Sequence, residues 1–80
     1  MNQTLTNLSS GQKATIADFA QTLPINVKQR LQDLGLLPNR QIQLIRRTPF
    51  GGPISVVVGG LVLALDHQLA KQIVVLVQTV

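Results

Sequence analysis

Arg30-Leu31-Gln32-Asp33-Leu34-Gly35-Leu36-Leu37-Pro38-Asn39 is the stretch that decides the fold. A strand-like run follows it at once, and then Arg46-Arg47-Thr48-Pro49-Phe50-Gly51-Gly52-Pro53. Read in order, this is a helix that stops at a glycine, a turn, a strand and a rigid Gly/Pro corner. Upstream, Val27, Leu31 and Leu34 fall at i, i+4 and i+7, one face of a helix. Asn26 is the expected N-cap, with Gln29 completing a capping box. Gly35 suits the left-handed residue beyond the helix end, and Pro38 prevents the helix from resuming. A helix of about ten residues is marginal alone, so it must dock on strands.

Strands are predicted on both sides of this stretch. Gly11 to Phe19 carries a weak period-two alternation, and Met1 to Thr6 reads as a loose lead-in, with Leu5 and Leu8 available to pin it to the core. After a turn at Asn39, Ile42 and Leu44 point one way and Gln41 and Gln43 the other. The alternation breaks at Ile45, which predicts a bulge before Arg46-Arg47. Ile54, Val56 and Val58 form the next core face, and Gly59-Gly60 is a two-residue hairpin signal. Leu61, Leu63 and Leu65 continue that face. Asp66 caps a helical turn to about Gln72, and Ile73 to Gln78 closes the set. The expected architecture is mostly β: a small, partly open barrel of five strands. A helix is inserted after the first strand, and a helical turn precedes the last.

Composition narrows the function. Eighty residues make one domain, spanning 1–80. There is no cysteine, hence no disulfide and no thiolate metal site. No secretory signal opens the chain, so a cytoplasmic location is the expectation. Thr48 to Leu65 is free of charge and about long enough to span a bilayer, but its glycines and prolines make it two strands. The net charge of +4 is spread singly except at Arg46-Arg47, and Phe19 and Phe50 are the only aromatic residues. A nucleic-acid barrel needs basic clustering and stacking platforms, so that reading is the weaker alternative.

No catalytic constellation is visible. The single His67 has no cysteine to activate, and the three aspartates read as caps or solvated positions. Gly51-Gly52 and Gly59-Gly60 lack the trailing Gly-Lys-Ser/Thr of a phosphate loop. The expectation is a protein that is not an enzyme and carries no cofactor. Asp66 and His67 are weak candidates for Fe2+ or another divalent metal, and a metal-sensing module is a second alternative. What remains is a protein-contact surface: Arg46, Arg47, Pro49 and Phe50 at the corner, and Leu36 and Leu37 after the helix. A Phe50 folded back on the core is an equal alternative, and of the two leucines one is expected to anchor the turn and the other to face a partner. The apolar surplus, 45% of the residues against 12% charged, makes self-association an expectation too.

The chain resembles the ferrous iron transport protein A (FeoA) family. The residues that carry the resemblance are Leu8-Ser9-Ser10-Gly11-Gln12-Lys13-Ala14, Arg30-Leu31, Leu34-Gly35-Leu36, Pro38, Ile42, Arg46-Arg47, Pro49, Gly51-Gly52-Pro53, Leu63-Ala64-Leu65, Ala70 and Ile73. The resemblance implies an SH3-like barrel. It also implies a small cytosolic accessory of ferrous iron uptake, acting at the inner face of the membrane. Its partner would be a membrane ferrous iron transporter with a cytoplasmic GTPase domain. Asn39 departs from the glycine usual in the family. Asp66-His67 stands where a basic or polar pair is more common.

Overall fold

The computed structural model describes residues 2–77. Six strands form one antiparallel sheet: β1 (Asn2–Thr4), β2 (Lys13–Phe19), β3 (Gln41–Arg47), β4 (Ile54–Val58), β5 (Leu61–Leu65) and β6 (Ile73–Val77). Helix α1 (Ile25–Asp33) lies between β2 and β3, and helix α2 (His67–Ala70) between β5 and β6. The strand order is β1-β6-β2-β3-β4-β5, so β1 and β5 are free edges and the sheet is not closed. The fold is the mostly-β class expected, with six strands rather than five.

The additional strand is the segment expected to be loose. Asn2, Gln3 and Thr4 pair with Leu76, Val75 and Val74 of β6. A 3-10 turn over Leu5–Asn7 follows, closed by a capping box in which Asn7 Oδ1 accepts from the Thr4 backbone N–H at 3.1 Å. Leu5, which opens the turn, and Leu8, which follows it, are wholly buried. Those two side chains fix the lead-in to the core, because leaving either in water would forfeit most of its burial energy.

Helix α1 begins earlier than expected. Pro24 is the N-cap, and its carbonyl accepts the first intrahelical bond from Lys28 N at 3.0 Å. Asn26 is therefore inside the first turn, exposed, and no side chain caps this end. At the other end Gly35 takes φ 104°; Leu36 N donates to Leu31 O and Gly35 N to Gln32 O, both at 3.0 Å. This paired pattern is a Schellman motif, whose usual companion is an apolar contact between the flanking residues. Leu31 and Leu36 are both buried accordingly, whereas Leu34 turns outward at 40% exposure. Asn39 is left-handed at φ 70°, as expected for this turn.

Ile16, Phe19, Ile42, Leu44, Ile54, Val56, Leu65, Ile73 and Val75 fill the space the curled sheet encloses, with Ala70 of α2. Gly59-Gly60 makes the expected hairpin, with φ 56° and 83° between Val58 and Leu61. The core face of β5 is only partly covered: Leu65 is buried, Leu63 half-buried and Leu61 44% exposed. The last strand ends at Val77, and the expected Gln78 lies outside the described residues.

Candidate functional site

The site is the corner between β3 and β4. The expected bulge is present: pairing runs Leu44↔Val56 and then Arg46↔Ser55, which leaves Ile45 as the extra residue. Without it, strict alternation would place Arg46 on the core face after Ile42 and Leu44. With it, Arg46 sits opposite Ser55 on the outer face, and Arg47 opposite Ile54 on the inner one. Arg47 Nη1 then donates to the Leu8 carbonyl at 3.1 Å, fastening the corner to the N-terminal turn. Arg47 thus has a structural bond, while both arginines are exposed.

The tip is held open from beneath. Thr48 N donates to Pro53 O at 3.2 Å, closing the loop, and Pro49–Gly51 form a kinked tip in which Phe50 and Gly51 both have positive φ. Phe50 takes φ 62° and ψ 35°, a left-handed backbone, and its side chain is fully exposed at 105%. A Cβ on Gly52 would stand 2.7 Å from Thr48 Cγ2 and 2.9 Å from Thr48 Cβ, so only glycine fits the crossing. Phe50 does not fold back on the core.

His67 completes the corner. It is half-buried in the first turn of α2 and lies across a groove of about 240 Å³ from Arg47, Pro49, Phe50 and Ile54. Its Cδ2 is 4.0 Å from where a Cβ on Gly51 would stand. Sequence reading gave His67 and this loop separate roles; the long connection between them carries no local signal of their meeting. Asp66 has a cap role, its Oδ2 accepting from Gln68 N at 3.0 Å. Among the described residues no group of three or more His, Asp or Glu side chains is placed to hold a metal.

The second expected contact segment is elsewhere. Leu36 is wholly buried by the Schellman contact, so it is corrected from a surface anchor to a core residue. Leu37 is exposed at 37%, but it precedes β3 while the corner follows it. Five strand residues, Gln41 to Ile45, separate Leu37 from Arg46, about 17 Å of extended chain. They do not make one surface.

A small, open antiparallel β-sheet domain with two short helices defines a class: the SH3-like fold. The FeoA domain model matches residues 3–77, and the chain belongs to the FeoA family. A crystal structure of the iron uptake regulatory protein FeoA is 29% identical over 98% of this chain and 99% of that one, with TM-score 0.82. The solution structure of FeoA from Chlorobium tepidum is 30% identical over 96% of this chain and 71% of that one, with TM-score 0.87. FeoA from Stenotrophomonas maltophilia, solved with zinc and described as a prokaryotic SH3 domain protein, is 27% identical. It covers 91% of this chain and 88% of that one, with TM-score 0.79. No curated protein sequence matches the chain. The family is associated with ferrous iron transport as an accessory and is not a known enzyme family. No helix among the described residues is long and apolar enough to cross a membrane.

Proposed function

We propose that this chain modulates ferrous iron uptake by docking its β3–β4 corner on the cytoplasmic GTPase domain of a membrane iron transporter. The observation that carries the reading is Phe50: a fully exposed aromatic on a left-handed backbone, at the tip of a braced loop. Burying a phenylalanine ring against a partner yields about 2 kcal/mol. A loop already rigid loses little entropy in doing so. Arg46, exposed on the outer face at the end of β3, supplies a cation for an acidic rim, and the groove edged by Arg47, Pro49 and His67 offers polar and apolar atoms to a partner side chain. Arg47 acts through the loop, its Nη1 bonded to the Leu8 carbonyl.

Family membership supports the iron-uptake setting. Metal held by Asp66 and His67 is the weaker reading, because among the described residues no third His, Asp or Glu stands with them. Calorimetric titration of the chain with the isolated GTPase domain tests the proposal. Phe50→Ala is expected to weaken binding roughly 30-fold, the loss typical of a central aromatic anchor. Equal affinity for the two chains would place the contact elsewhere.

A further inference from the structure

The two edges of the sheet are protected very differently. β1 is three polar residues, Asn2–Thr4, too short to recruit another strand. β5 is Leu61-Val62-Leu63-Ala64-Leu65, paired with β4 through all five residues without a bulge. It contains no charge and no proline, the usual guards of an exposed edge. Val62 is 62% exposed on the outer face and Leu61 44% on the core face, and among the described residues no strand pairs with this edge.

Hairpin geometry fixes which backbone groups are on offer. The two-residue turn makes Val58 and Leu61 a hydrogen-bonded pair, and Val56 with Leu63 and Ile54 with Leu65 follow in alternation. The N–H and C=O of Val62 and Ala64 therefore point away from β4, toward the free edge. The side-chain pattern Leu-x-Leu-x-Leu reads the same in both directions.

We infer that β5 is a self-recognition edge, pairing antiparallel with β5 of a second copy about a two-fold axis at Leu63. In that register Val62 lies opposite Ala64 of the second copy, and these residues exchange both backbone bonds. The large Val62 meets the small Ala64 on the outer face. On the core face Leu61 meets Leu65, and Leu63 meets Leu63.

Charge supports this occupant over an arbitrary apolar strand. The same register carries Gly60 opposite Asp66 of the second copy. Arg40 Nη1 lies 3.2 Å from where a Cβ on Gly59 would stand, so its guanidinium guards that end of the hairpin. It lines a groove there with Lys13, Gln43 and Gly60. Asp66 thus arrives at a basic groove, and symmetry repeats the contact at the other end. A chain of net charge +4 would otherwise repel its copy.

Sedimentation velocity on the full chain tests this, followed by interference optics because the chain has no Trp or Tyr. The expected result is a dimer at about 100 μM that Val62→Lys weakens by 100-fold or more. Thermal unfolding of that variant, measured where the wild type is monomeric, should be unchanged. Arg40→Asp and Asp66→Lys are each expected to be monomeric alone, because each sets like charges opposite in its own dimer. Mixed together they should form a heterodimer, an outcome that misfolding cannot imitate. A wild-type chain that stays monomeric would overturn the inference. So would a dimer indifferent to Val62→Lys, or a monomer that instead takes up an extended apolar peptide along β5.

Discussion

Phe50 holds a conformation that costs a residue with a Cβ about 1–2 kcal/mol, and it holds it in water with its ring unburied. Neither choice helps the chain fold, and strain of this kind collects where a surface is shaped for use. Stability and binding should therefore separate at this position. Phe50→Gly relieves the left-handed backbone but loosens the unfolded chain, and the balance is a gain of about 0.5 kcal/mol. Its Tm should rise slightly in a thermal melt while affinity for the GTPase domain falls as in Phe50→Ala. Gly52 has the opposite sensitivity. A methyl group there meets Thr48 at both Cγ2 and Cβ, and Gly52→Ala should cost about 1–3 kcal/mol in denaturant unfolding. Neither effect could be read from Phe50-Gly51-Gly52 in the sequence, since its glycines announce a turn without saying which residue takes which backbone.

The elements were legible wherever a local signal was strong. Gly35, Asn39, Asp66 and Gly59-Gly60 each act as their residue type demands, and the broken alternation at Ile45 marks a real bulge. The failures came from longer-range terms. Asn26 looked like an N-cap, but Pro24 two residues earlier already presents the carbonyl that starts α1. Asn2–Thr4 has no strand pattern of its own; it becomes β1 because β6 offers an edge and Leu5 anchors the turn that follows. Leu5→Ala should consequently cost about 3 kcal/mol, a core-sized loss measured in urea, where a loose lead-in would lose almost nothing. Asp66→Ala, which removes the α2 cap, should cost about 1 kcal/mol by the same measurement.

At the scale of the whole molecule, an open sheet leaves two tasks to two separate places. The β3–β4 corner is braced by Arg47 to Leu8 and walled by His67, contacts made across 39 residues in one case and between β3–β4 and α2 in the other. No sequence window contains both partners, so the corner's residues could be listed in advance while its construction could not. Leu36 and Leu37 show the converse: they look equivalent in sequence, and the Schellman contact buries one and exposes the other. The account stands on the corner being the face that meets the transporter. A two-dimensional NMR titration of labelled chain with the cytoplasmic GTPase domain tests it most directly. Shifts are expected to centre on Arg46 to Gly52 and to include His67, leaving Leu37 unmoved. Shifts confined to Leu37 and the exposed side of α1, with the corner silent, would contradict it.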